Sequence, residues 1–244
     1  MIIDAYNNIW TAQQKSDYLT SETYSVEMML RDMDDAGVDM AVGCSLGQMI
    51  DNDYTALVGW TYSDRIIPFG QVNARAADAA DQVRRDHDRH GFRGLKLHPV
   101  LHGYHVVDHG LLDPIFDACA ERGIMVLFNA LDDAFIHPLG IEEIAKHYPS
   151  VPTIIAHMGT VWNVNEAILV AKRTPNIYLE TSSTQLIEVR MAYRDVGPEK
   201  IIMGTDWPGS DFDLERRKIA KAVPNPAHRA MIEGENLQRL LGLA

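Results

Sequence analysis

Cysteine is nearly absent: Cys44 and Cys119 are the only two in 244 residues. Two thiols cannot build a disulfide framework, which fits a reducing, cytoplasmic compartment. Cationic side chains are also scarce, 22 Lys and Arg against 34 Asp and Glu. The resulting net charge of −12 repels a phosphate backbone and disfavours nucleic acid as a partner. No run approaches ~18 unbroken apolar residues, so neither a membrane-spanning helix nor a membrane partner is expected. The start, Met1-Ile2-Ile3-Asp4, has no basic region ahead of an apolar block, so no signal peptide is expected. There is no Pro-, Gly- or Ser-rich linker and no repeat of the solenoid kind. What is present is ample core material, with 46% hydrophobic residues. One domain over residues 1–244 is the expectation.

Short apolar runs alternate with helical patterns. The runs are Met1–Ile3, Val38–Cys44, Ile66–Val72, Gly94–Leu97, Ile124–Phe128, Thr153–Ala156, Ile177–Leu179 and Ile201–Met203. Near-continuous apolarity marks strands buried on both faces of a parallel sheet. Between the first two runs, Val26, Met29, Leu30 and Met33 recur with helical spacing after a cap at Ser25, and Gly37 closes that helix. Asp113-Pro114 reads as a cap followed by proline at the first helical position. Further helices are expected over 76–90, 167–173, 185–193 and 226–241. Eight strands with intervening helices in ~250 residues predict an α/β fold, a (β/α)8 TIM barrel. A doubly wound open sheet is the competitor, weakened because no Gly-x-Gly-x-x-Gly follows the first run.

A barrel carries its functional side chains at the C-terminal ends of its strands. Those positions hold Asp4, Tyr6, Asn8 and Trp10, then Lys96 and His98, Asn129, His157, Glu180-Thr181-Ser182, and Asp206-Trp207. The runs Gly94-Leu95-Lys96-Leu97-His98-Pro99 and Gly204-Thr205-Asp206-Trp207-Pro208, with Ala156-His157-Met158-Gly159 between them, carry a resemblance. The chain resembles the amidohydrolase superfamily in its amidohydrolase-2 branch of metal-dependent hydrolases and decarboxylases, over nearly its whole length. The resemblance implies metal-binding histidines at the first and fifth strand ends, and here those positions are Tyr6, Asn8 and Asn129. Only His157 and Asp206 match. Neutral amides and a phenol are poor ligands for a catalytic metal. No metal or cofactor is therefore expected, unless His98, His157 and Asp206 rebuild a site for zinc or another divalent ion.

Asp206 is the candidate general base and His157 its candidate assistant. Lys96 and His98 share one side of their strand and could meet a substrate carboxylate. Tyr6, Asn8 and Asn129 would bond a carbonyl or amide. His98, His102, His105 and His109 have metal-like spacing, but Pro99, Gly103 and Gly110 favour a loop. Trp10, Trp162 and Trp207 follow strand ends and are expected to wall a pocket for a compact cyclic or aromatic substrate. The expected function is metal-independent hydrolysis of a lactone, amide or ester. A decarboxylase or other lyase and a catalytically inactive ligand-binding barrel remain alternatives, and a homo-oligomer is compatible with each.

Overall fold

The computed structural model describes residues 1–11 and 24–243. Ten short strands form its framework: β1 (Ile3–Asp4), β2 (Asn8–Ile9), β3 (Met40–Ser45), β4 (Ile66–Pro68), β5 (Gly70–Gln71), β6 (Gly94–Leu97), β7 (Met125–Asn129), β8 (Thr153–Ala156), β9 (Ile177–Glu180) and β10 (Ile201–Ile202). Every strand pairing is parallel. β3 pairs with β1, β2 and β4, while β5 to β10 follow one another in series. The β1–β2 and β4–β5 runs each make one wall position, so ten segments give the eight staves of a (β/α)8 TIM barrel.

Two seams close it. The Phe69 N–H donates to Gly43 O at 3.0 Å, tying the β4–β5 run to β3. On the other side, Ala5 N–H donates to Met203 O at 2.9 Å and Asn8 N–H to Trp207 O at 2.9 Å. The buried Asp4 carboxylate reinforces this seam by accepting from Thr205 N–H at 3.1 Å and Thr205 Oγ1 at 2.6 Å. These charge-assisted bonds replace ladder bonds where β1 and β10 part company.

The strands are apolar because both their faces are covered. Ile3, Val42, Leu127, Ile154 and Ile202 fill the barrel interior. Leu95, Val126, Ile155, Leu179 and Ile201 face the outer helices. The first helix, Val26–Ala36, begins where Ser25 accepts from Met28 N–H and ends at Gly37 with φ 67°. A side chain at that left-handed position would be strained, so glycine ends the helix there.

Several boundaries differ from the sequence reading. The fifth helix spans His109–Arg122 with Asp108 as its cap, so Pro114 lies inside it rather than at its start. The helix expected over 76–90 begins at Ala79, and the one expected at 167 begins at Val164. The last helical stretch is broken into Pro226–Ala230, a π-turn at Met231–Glu235 and Asn236–Leu241. Among the described residues no helix is long and apolar enough to cross a membrane.

Candidate active site

The strand ends converge on one pocket of about 360 Å³ at the C-terminal mouth. Tyr6, Asn8, Lys96, His98, Asn129, His157 and Asp206 line it, with Leu46, Val100, Leu101, Leu131 and Pro208 as apolar walls. The sequence thus places seven polar side chains where the structure brings them together.

Asp206 follows β10 with a left-handed backbone, φ 60°, and its N–H donates to Tyr6 O at 2.7 Å. His157, directly after β8, is also left-handed, φ 62°. Non-glycine residues in this region cost about 1–3 kcal/mol each, and such conformations cluster at working sites. Here both side chains line the pocket at the mouth.

Asn8 bridges the charged pair. Its Nδ2 donates to Asp206 Oδ1 at 2.7 Å, and its Oδ1 accepts from Lys96 Nζ at 2.7 Å. Lys96 also donates to Ser45 O at 3.3 Å and lies 4.8 Å from the Tyr6 ring centre. Its hydrogen-bond partners are therefore neutral, although its side chain is buried. Burial pushes the Asp206 carboxyl up to about 6, against the pull of the Lys96 charge and the Asn8 bond. Asp206 is thus a carboxylate at neutral pH yet basic enough to take a proton.

On the opposite side, Asn129 Nδ2 lies 2.7 Å from Tyr6 OH and 3.0 Å from His157 Nε2. Burial, then the Lys96 charge, lowers His157 to about 3, so its imidazole is neutral. Burial and the Asp206 carboxylate raise the Tyr6 phenol well above its ordinary value, which keeps its O–H as a donor. His98 is lowered to about 3 by burial and Lys96. The site therefore offers one base, one buried cation and several neutral hydrogen-bonding groups.

The three tryptophans do not line this pocket. Trp207 is buried and its indole N–H donates to Asp32 Oδ2 at 2.8 Å, away from the cavity. Trp10 packs edge-on against Tyr24. Trp162 is 81% exposed. The expected aromatic wall is not built, because following a strand end in sequence does not fix the direction of a side chain. The histidine series is likewise dispersed. His98 caps and His102 ends a short helix, Pro99–His102, while His105 lies against Phe135 and His109 bonds Asp113. Cys44 is a buried thiol whose Sγ contacts Asn7 O. Sequence reasoning left Glu180 and Ser182 without a role. Both stand behind His157, and their signal was their place at the end of β9.

Residues 11–243 match the family described as Amidohydrolase, in its amidohydrolase-2 branch, and the chain belongs to that family of enzymes. A 4-sulfomuconolactone hydrolase from Hydrogenophaga intermedia is 26% identical over 168 residues, 58% of this chain and 54% of that protein. The matching stretch thus spans about half the length of that curated relative. An uncharacterized TIM-barrel protein from Bordetella bronchiseptica superposes with a TM-score of 0.83 at 22% identity, covering 99% of this chain and 98% of the other. A probable 2-pyrone-4,6-dicarboxylic acid hydrolase from Acinetobacter baumannii with bound citric acid superposes at 0.79 and 14% identity, covering 99% of both chains. A 5-carboxyvanillate decarboxylase from Novosphingobium aromaticivorans, complexed with manganese, superposes at 0.77 and 17% identity, covering 100% of this chain and 96% of the other.

The manganese in that neighbour, and in a related dihydroxybenzoic acid decarboxylase, corrects the expectation that no cofactor is involved. The donors of this chain do not by themselves form a histidine-rich cage. Among the described residues no three His, Cys, Asp or Glu side chains stand together as a metal-holding group. His98, His157 and Asp206 line one pocket without rebuilding such a group, and the Lys96 ammonium lies among the remaining donors.

Proposed function

We propose that the chain hydrolyses the ester bond of a compact, anionic lactone, as a small-molecule enzyme of the cytoplasm. The observation that carries this reading is Asp206. It faces an open pocket, its hydrogen-bond partner is the neutral Asn8, and a buried ammonium stands on the far side of that amide. A carboxylate locked in a structural ion pair would suit an inactive barrel; this one is available. The 4-sulfomuconolactone hydrolase among the relatives supports a lactone bearing an acidic group.

In this reading Asp206 takes a proton from water as the water oxygen bonds the lactone carbonyl carbon. Negative charge grows on the carbonyl oxygen. Lys96 supplies opposite charge and the Tyr6 O–H a hydrogen bond, both in a site largely shielded from solvent. The ring C–O bond then breaks, and Asp206 returns its proton to the departing oxygen. Leu46, Val100, Leu101 and Leu131 confine the body of the substrate. Compactness therefore rests on these aliphatic walls, in place of the tryptophans.

Ring opening of carboxylated and sulfonated muconolactones, followed by ultraviolet absorbance and acid release, tests the reading. Turnover without carbon dioxide is expected. Carbon dioxide release from hydroxybenzoates, with no ring opening, would favour the decarboxylase reading suggested by the other neighbours. The pH dependence is also set. Only ionised Asp206 acts as base, so kcat/KM should fall about tenfold per unit below pH ~6 and level off above it. A profile flat from pH 7 to 4.5 would remove Asp206 from that role.

A further inference from the structure

We infer that Glu180, acting through Ser182, sets the tautomer of His157 and thereby aims the Tyr6 hydroxyl hydrogen into the pocket. The inference rests on the reading of this pocket as the active site, but its first readout does not depend on which reaction occurs there.

The argument is a count of hydrogens. Glu180, at the end of β9, has no exposed surface. Its Oε1 accepts from Ser182 N–H at 2.6 Å and its Oε2 from His157 N–H at 3.1 Å. Backbone amides only donate, so both oxygens accept from the main chain; burial raises the Glu180 carboxyl to about 8, so the direction of its bond with Ser182 is fixed from the Asn129 end of the line. Ser182 Oγ lies 2.6 Å from Glu180 Oε2 and 2.8 Å from His157 Nδ1. A hydroxyl has one hydrogen. With that hydrogen given to Glu180, Ser182 Oγ can only accept from the imidazole. His157 then carries its proton on Nδ1 and presents a bare Nε2.

Asn129 gives the same answer from the other side. Its Nδ2 lies 3.0 Å from His157 Nε2, which must therefore be the acceptor. The same amide donates to Tyr6 OH at 2.7 Å. The phenol oxygen is thereby engaged as an acceptor, and its own hydrogen is left for a ligand. Ser182 donates to Glu180, His157 to Ser182, and Asn129 to both His157 and Tyr6, so every hydrogen in the line is assigned. Gly204 makes room for the anchor, because a Cβ at that position would collide with the Glu180 carboxyl. The glycine of the Gly204–Pro208 run accordingly serves His157 from the neighbouring strand. Glu180 and Ser182 touch no substrate in this scheme and are positioning residues.

The test uses the full chain with ¹⁵N-labelled histidine. The expected wild-type spectrum assigns His157 as protonated on Nδ1 with unprotonated Nε2. Ser182→Ala should mix the tautomers and lower kcat about tenfold or more, short of the ~10⁴-fold that a wholly wrong imidazole tautomer costs in a serine protease. KM should stay within twofold. Ser182→Thr retains a hydroxyl and should restore both tautomer and kcat. A wild-type His157 protonated on Nε2 would overturn the inference, as would a Ser182→Ala protein with unchanged tautomer and kcat. If no lactone is turned over but the Nδ1–H tautomer is present and lost in Ser182→Ala, the proposed reaction fails while the positioning line stands.

Discussion

Asp206→Asn is expected to lower kcat by roughly 10²–10⁴-fold, the range for losing a positioned general base. The amide has nearly the same shape and can still accept the bond from Asn8 Nδ2 that now measures 2.7 Å. What it cannot do is take a proton from water. The loss should fall on kcat, because the pocket walls and Lys96 are untouched. Fold stability should not fall with it. The carboxyl is raised to about 6 in the folded state, above its ordinary value of 3.8. A group shifted in that direction contributes favourably only at low pH, and its contribution is lost as pH rises through about 6. At pH 7 the amide removes the cost of a buried charge, so the melting temperature should hold or rise. Wild-type turnover in a folded Asp206→Asn protein would move the chemistry elsewhere, with His98 and His102 next in line.

Lys96→Met should produce the second large effect, a loss in kcat/KM of about 10²–10³-fold. The ammonium is 1% exposed and donates to Asn8 Oδ1 and Ser45 O, both neutral. A buried charge with neutral partners is costly to keep. Its use is an anion that arrives with the substrate or grows on the carbonyl in the transition state. Methionine fills a similar volume without the charge, so the barrel should still fold. Steady-state kinetics and thermal unfolding on the same sample separate the two effects. Unchanged kcat/KM in a folded Lys96→Met protein would leave the carbonyl charge to Tyr6 alone.

The barrel was legible because its strands are apolar on both faces. Thr153–Ala156 and Gly94–Leu97 read from the sequence with the bounds the structure shows. Less legible were the helix starts. Asp113 reads as the cap of the fifth helix, but which carboxylate accepts a backbone N–H depends on where the chain turns. The structure gives that bond to Asp108, which accepts from Leu111 N–H. Strand alternation placed Lys96 at the pocket, because residues two apart in a strand share a side. For Trp10, Trp162 and Trp207 no such periodicity applied, since they lie beyond the strands. Trp207 turned toward Asp32, and Trp162 toward solvent. Glu180 was visible as a strand-end carboxylate. Its partner through Ser182 was not, because the contact joins β9 to the turn after β8, 25 residues away.

Isotope transfer from water tests the central claim most directly. A carboxylated muconolactone is opened by the enzyme in H₂¹⁸O, and the product is analysed by mass spectrometry. One ¹⁸O in the newly formed carboxylate, with no carbon dioxide released and labelled turnover by Asp206→Asn lower by roughly 10²–10⁴-fold, is the predicted result. Product lacking the label, or equal labelled turnover by the Asp206→Asn protein, would contradict hydrolysis by water activated at Asp206.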